Sequence, residues 1–248
     1  MSSGSIRVGI GGWTYEPWRG GAFYPEGLPH KRELEYAAAH LTCIEINATY
    51  YGRQKPQSFA NWAAAAPEGF RFSLKASRFT TQRKVLAESG DSIATFLGQG
   101  FTELGDKLGP ILWQFRDGKR FERDDFARFL DLIPDAQDGV PLRHALEVRD
   151  ESFRDDAFLD LCRARNMAVV FADSAEFPQI DEQTADFTYA RLQQSTADHP
   201  AGYGEPAIDD WATRARDWAQ GGRDVYMLFI SGAKERNPAA AQALIAAL

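Results

Sequence analysis

The sequence predicts an α/β fold, a single-domain (β/α)8 barrel of the TIM type, on three observations. Eight short apolar, β-rich runs alternate with longer helical patterns through the chain, and such alternation builds parallel strands joined by right-handed helical crossovers. The length of 248 residues suits eight such units. No Pro/Gly/Ser-rich linker or compositional break divides residues 1–248, so one domain is expected. An open doubly wound sheet is the alternative arrangement of the same elements.

The strands are expected at residues 7–11, 42–47, 71–75, 110–115, 144–148, 168–172, 188–192 and 224–229. Each is a short β-branched or aromatic run bounded by turn or helix signals. Helical periodicity fills residues 31–40, 57–65, 92–107, 124–132, 155–165, 208–220 and 238–247. Only the connection between strands six and seven, residues 174–187, carries no convincing helix, so that helix is expected to be weak or missing. Two Gly/Pro-rich loops, residues 16–29 after strand one and 195–206 after strand seven, would leave the C-terminal face, where barrel sites are built.

Bulk composition narrows the function classes. The chain is 44% hydrophobic and 25% charged, an ordinary globular balance. A formal charge of −7 disfavours a protein that coats nucleic acid through its overall field, although it leaves room for a local basic pocket. Cys43 and Cys162 have neither CxxC spacing nor a disulfide framework, which suits a reducing, cytoplasmic setting. The start, MSSGSIRVGIGG, lacks a charged segment followed by a long apolar one, and no apolar run approaches the roughly 20 residues of a membrane span. A soluble, unprocessed protein without membrane contact is expected.

The candidate site comes from strand parity. In HALEVRDESF, residues 144–153, Ala145, Glu147 and Arg149 share one strand face while Leu146 and Val148 share the other. The same alternation places Glu45 and Asn47 together on strand two, Ser73 and Lys75 on strand three, and Gln114 with Leu112 on strand four. Strand six pairs Asp173 with Phe171, and strand seven sets Tyr189 and Arg191 on one face. If the apolar partners face the helices, the polar set faces the axis near the strand C-termini. Glu45, Lys75, Glu147 and Asp173 are therefore the expected catalytic groups. Trp13, Tyr15, Asn47, Tyr50, Gln114, Arg149, Tyr189 and Arg191 are the expected substrate-binding groups. The competing view is that these charges only satisfy one another in a wet barrel end, but a barrel needing stability alone could fill those layers with Val, Ile and Leu. Trp18, Tyr24 and Trp62 are read as lid or helix-packing residues.

Several motifs fail. From Gly9, Thr14 stands where the third glycine of GxGxxG belongs, and GxxxxGK[ST], HExxH and GxSxG do not occur. The histidines are scattered, so no metal or other cofactor is predicted, with a carboxylate-held divalent ion through Glu45, Glu147 or Asp173 as the weaker alternative. Paired carboxylates suggest glycoside hydrolysis, yet Lys75, Arg149 and Arg191 better suit a phosphate or carboxylate held by arginine.

The segments GGWTYEPWRG, IEINATYYG, PEGFRFSLKASR, KLGPILWQF, ALEVRDESF, VVFADS, TYARLQ and GRDVYMLFISG, in this order, resemble the YecE-like family, domain of unknown function 72. The resemblance implies a TIM-type barrel and puts recurrent polar residues at Trp13, Tyr15, Glu45, Asn47, Lys75, Gln114, Glu147, Arg149, Asp173, Tyr189 and Arg191. It implies no reaction. The chain departs from the family pattern at Arg116, Gln193 and Ser231-Gly232, where members usually carry proline, histidine and an Asn-Asn pair. The expected activity is acid/base chemistry on a small anionic, sugar- or nucleotide-like substrate, with Glu147 or Glu45 as acid/base and Lys75 and Arg191 stabilising charge. A non-catalytic nucleic-acid or small-ligand binding module and a metal-dependent hydrolase are the alternatives.

Overall fold

Eight parallel staves close into a barrel in this computed structural model, which describes residues 4–248. The start expected to lack a leader begins with residues 1–3, outside the described residues. The staves are β1 (Ile6–Gly11), β2 (Cys43–Ile46), β3 (Arg71–Lys75), β4 (Leu108–Gln114), β5 (His144–Glu147), β6 (Ala168–Val169 and Phe171–Asp173), β7 (Phe187–Leu192) and β8 (Asp224–Phe229). Each pairs in parallel with its sequence neighbours, and β1 pairs with β8. The ring closes through β6, whose two pieces flank Val170. The first pairs with β5 (Ala145 opposite Ala168) and the second with β7 (Ala190 opposite Phe171). Each piece pairs on one side only, so the ring is nearly closed, with its break at Val170.

Among the described residues nine α-helices surround the staves: α1 (Glu33–His40), α2 (Ala48–Tyr51), α3 (Pro56–Ala65), α4 (Arg78–Thr81), α5 (Gly90–Leu97), α6 (Arg123–Asp131), α7 (Asp156–Arg163), α8 (Glu205–Trp218) and α9 (Asn237–Ala247). No helix joins β6 to β7, as the sequence suggested. The continuous helix expected over residues 92–107 is instead α5 followed by the 3-10 turn Phe101–Lys107. Gly98 and Gly100 cause the break, since Gly100 adopts φ 85°, a left-handed conformation that ends a helix. The single-turn helices α2 and α4 were too short for periodicity to register. Among the described residues no helix is long and apolar enough to cross a membrane.

The main core lies between staves and helices, where the outward residues Val8, Ile10, Ile44, Ile46, Phe72, Leu74, Ile111, Trp113 and Leu146 are fully buried. Burial of each large aliphatic or aromatic side chain contributes about 1.5–3 kcal/mol. His144 belongs to this layer. The Trp113 indole N–H donates to its Nδ1 (3.1 Å), so its Nε2–H donates to the Pro134 carbonyl (2.9 Å). Burial lowers its pKa to about 4, which keeps the ring neutral.

Inside the barrel, one layer holds Gly9, Ser73, Ala145 and Tyr189, three small residues that make room for one large one. The Tyr189 ring crosses the interior to hydrogen-bond Ser73 (2.7 Å) and stacks against Tyr226 at 6.2 Å. The layer above, nearer the strand C-termini, contains Gly11, Lys75, Glu147 and Arg191. Charge therefore enters the barrel one layer above an uncharged tyrosine plug.

Gly9 is fixed by contact. A Cβ added there would lie 1.8 Å from the Cys43 carbonyl oxygen across the β1–β2 ladder. Gly12 has open space but φ 71°. Gly12→Ala should therefore cost only left-handed strain, about 1–2 kcal/mol, whereas Gly9→Ala must push two staves apart and should cost more than about 3 kcal/mol. Denaturant melts of the two variants check the order, and equal losses would contradict the packing described.

Candidate functional site

The site starts from what lies at the end of β7. Arg191 is 2% exposed, and its guanidinium is held from two sides. On one side Nη2 and Nε donate to Glu45 Oε1 and Oε2 at 3.0 and 3.2 Å; on the other Nη1 donates to Glu147 Oε2. Both carboxylates are 0% exposed. Glu147 Oε1 accepts from Gln114 Nε2 (2.8 Å) and from Arg149 Nε and Nη2 (3.0 and 2.9 Å). Glu45 Oε2 also accepts the Tyr189 hydroxyl proton at 2.9 Å. Every acid in the cluster is thus saturated by donors, the condition for burying an ion.

The electrostatics follow from this enclosure. Burial alone would raise the Glu147 pKa, but the cations of Arg191, Arg149 and Lys75 outweigh it and hold the group at about 2. Arg191 is held even more firmly charged by Glu147 and Glu45 against its own desolvation. Burial, reinforced by the charge on Glu45, pushes Tyr189 well above the ordinary phenol value. Lys75 differs. Its ammonium makes no hydrogen bond or ion pair among the described residues and sits 4.3 Å from the Tyr50 ring centre. Burial first, then repulsion from Arg191, lowers its pKa to about 8, although Glu45 and Glu147 pull the other way.

Above the triad opens a cavity of about 480 Å³. Trp13, Asn47, Lys75, Gln114, Arg149 and Arg191 line it, with Tyr51, which follows strand two, and with Lys234 and Asn237, which strand parity could not find. Tyr51 belongs to α2, Lys234 to the 3-10 turn Lys234–Arg236 and Asn237 to the start of α9, so none lies on a strand. No acid lines the cavity. Two buried carboxylates face four cations, Lys75, Arg149, Arg191 and Lys234, so the mouth carries two positive charges in excess. The loop over residues 16–29 braces this arrangement. Arg19 pairs with buried Glu33 (2.6 Å), Tyr24 donates to the Trp13 carbonyl (2.6 Å), and Trp18 Nε1 donates to the Lys234 carbonyl (2.9 Å). Trp18 and Tyr24 are buried packing residues, and Trp62 packs edge-on against Trp13 at 5.4 Å.

Four expectations need correction. Asp173 does not join the mouth: in β6 the inward residues are Ala168, Val170 and Ala172, while Phe171 packs on Trp211 and Trp218 of α8. Asp173 shares that outward face and accepts from Tyr203 (3.2 Å) and Gln194, organising the loop after β7. Its partner Phe171 was misread as inward because both faces of β6 are apolar. Tyr189 is 0% exposed below Glu45 and positions that carboxylate rather than touching a ligand. Tyr15 and Tyr50 stand behind the lining, Tyr15 under Lys234 (4.3 Å) and Tyr50 under Lys75, its hydroxyl accepting from Gln82. The carboxylate set proposed for a divalent ion does not assemble. Asp173 faces outward, Glu45 and Glu147 are occupied by guanidinium groups, and among the described residues no three His, Cys, Asp or Glu gather as metal donors.

Comparison with known proteins places this barrel. A family profile described as "Protein of unknown function DUF72" matches residues 7–248. UPF0759 protein YecE of Escherichia coli is 28% identical over 126 residues, 45% of this chain and 43% of YecE's own length. UPF0759 protein YunF of Bacillus subtilis is 22% identical over 90% of this chain and 88% of its own. A crystal structure of a DUF72 family protein from Thermotoga maritima superposes with TM-score 0.76 at 22% identity, covering 97% of both chains. A xylose isomerase-like TIM barrel fused to a 4-hydroxyphenylpyruvate dioxygenase superposes with TM-score 0.51 at 15% identity, over 96% of this chain and 41% of that one. These likenesses concern the fold.

Arg191→Met should strand two buried carboxylates and cost about 3–5 kcal/mol in a denaturant melt. Glu147 supplies an acid-side signature. Its folded pKa lies below its unfolded value, so its contribution is complete above the unfolded value near 4.5 and is lost as pH falls toward 2. Glu147→Gln should therefore destabilise the protein at neutral pH and flatten the loss of stability between about pH 5 and 2. An unchanged acid limb would contradict the pairing.

Proposed function

Since the chain belongs to the DUF72 family, whose description carries no reaction, we propose its function from the mouth itself: it binds a small anionic molecule, a phosphate ester or a carboxylate, and acts on it with Lys75 as the proton-transferring group. The single observation behind this reading is a cavity lined by four cations and no acid, above carboxylates already spent on Arg191. Its 480 Å³ falls in the range of small-molecule sites. Arg149 has its Nη2 and Nε committed to Glu147 yet lines the cavity, and Lys234 enters from the opposite loop. Together with Lys75 they form a cradle for one anionic group. Trp13 and Tyr51 supply flanking aromatic faces for a ring.

The acid/base role moves from Glu147 and Glu45 to Lys75 in this reading. A carboxyl with a pKa of about 2 is a poor proton donor at neutral pH, and its lone pairs are already engaged. An amine near 8 exists in both protonation states close to neutrality, which is what efficient proton transfer requires. Arg191 and Glu147 then set the field around Lys75 without reaching the ligand's reacting atoms.

Thermal-shift and calorimetric screening with sugar phosphates, nucleoside monophosphates and neutral sugars tests the reading. Phosphorylated compounds should bind and neutral ones should not. Lys75→Met should weaken binding by about tenfold or more, as loss of a charge-assisted contact implies. Affinity should fall as pH rises through about 8, because the lost proton is Lys75's. Binding of neutral sugars alone, or a pH-independent affinity, would count against it.

A further inference from the structure

The opposite end of the barrel carries a second concentration of positive charge. Inward parity puts Arg7 on β1, Arg71 on β3 and Arg143 just before β5, so alternate staves deliver three arginines to the N-terminal opening. All three line one cavity of about 350 Å³. The fourth alternate stave, β7, contributes Phe187, whose ring lies 5.4 Å from the Arg143 guanidinium. Among the described residues only one of the three has an ion pair: Arg143 binds Asp224 at 2.7 Å. Asp224 also accepts from the Ser5 N–H. The Arg71 guanidinium donates to the Phe70 carbonyl (3.1 Å) and to no other acceptor among the described residues. Arg7 makes no hydrogen bond or ion pair among the described residues; its Nε is fully buried without a partner and its guanidinium rests 5.9 Å from the Tyr226 ring centre. Asp106, the remaining acid of the lining, pairs with none of the three.

Such a ring is unfavourable for a barrel that needs only to be filled. A buried donor without an acceptor is destabilising, and like charges around a low-dielectric opening repel. Val, Ile or Leu would fill the same layer without either cost. A tetrahedral oxyanion removes both, because guanidinium forks from several directions match phosphate oxygens. The cavity is larger than a bare phosphate requires, which leaves space for a small substituent. The Tyr189 plug and the Glu45–Arg191–Glu147 triad lie between this opening and the C-terminal mouth, so the two cavities share no lining residue.

We propose that the N-terminal end of the barrel is a second anion site, in which Arg7, Arg71 and Arg143 hold a phosphate group, free or on a small ester. Its occupancy would stabilise the barrel by linkage to folding, independently of events at the mouth.

Titration calorimetry of inorganic phosphate, and separately of glycerol 3-phosphate, into the Lys75→Met/Lys234→Met protein reads this site with the mouth's free cations removed. Saturable binding is expected, and adding Arg71→Gln or Arg7→Gln should weaken it by about tenfold or more. In phosphate-free buffer neither glutamine variant should melt below its parent, since each removes a like charge; in phosphate the parent should gain stability and the variants should not. Tighter binding of the ester identifies an esterified ligand, and equal binding identifies free phosphate. Absence of binding by both compounds, or affinity indifferent to both substitutions, would overturn the proposal.

Discussion

Arg191 lies in the barrel interior between two carboxylates that no solvent reaches, and much of the surrounding structure exists to make that tolerable. Placing Glu45 and Glu147 at 0% exposure would be prohibitive without the bidentate contact on one side and the Nη1 contact on the other. The triad in turn requires support. Tyr189 needs the space left by Gly9, Ser73 and Ala145 to reach Glu45, and Gln114 and Arg149 must be in register with Glu147 across β4 and β5. A change of one residue in the register of β5 would turn Glu147 toward the helices.

In the proposed reading the triad also divides the chemical labour of the mouth. Carboxylates engaged this completely are fixed charges, and their main effect is to hold Arg191 in place and keep the local field from expelling Lys75's proton altogether. Lys75 is left without an ion-pair partner among the described residues, resting on the Tyr50 ring, with burial and guanidinium repulsion acting against its charge. The loops then decide what reaches it. The 16–29 loop and the turn bearing Lys234 are tied together through the Trp18 indole N–H, which joins the aromatic and cationic walls of the cavity.

Strand parity recovered much of this from sequence because a strand's two faces differ wherever one is polar. Glu45, Lys75, Gln114, Glu147 and Arg191 were legible for that reason, each alternating with residues such as Ile46, Leu74, Trp113 or Leu146. Asp173 was misplaced where the rule has no purchase: β6 reads VVFAD, apolar on both faces, and Phe171 packs outward on α8. Lys234 and Asn237 were invisible because they come from a turn and a helix start, whose position depends on the whole barrel closing. Parity also reports direction and not depth, so it could not separate Tyr189, below the triad, from Arg149, at the cavity wall. Depth also separates Glu45 and Glu147 from the cavity wall: both are fully buried and engaged by Arg191, which is why the proposed reading makes them its supports.

Site-resolved carbon NMR of the Glu147 side-chain carboxyl across the acid range tests this account most directly. If Glu147 is a fixed counter-ion of Arg191, its carboxyl stays ionised at every pH above about 3 and begins to titrate only near 2, close to acid unfolding. A midpoint at or above the ordinary value for a glutamate, with the protein still folded, would contradict the account and return Glu147 to the role of acid/base.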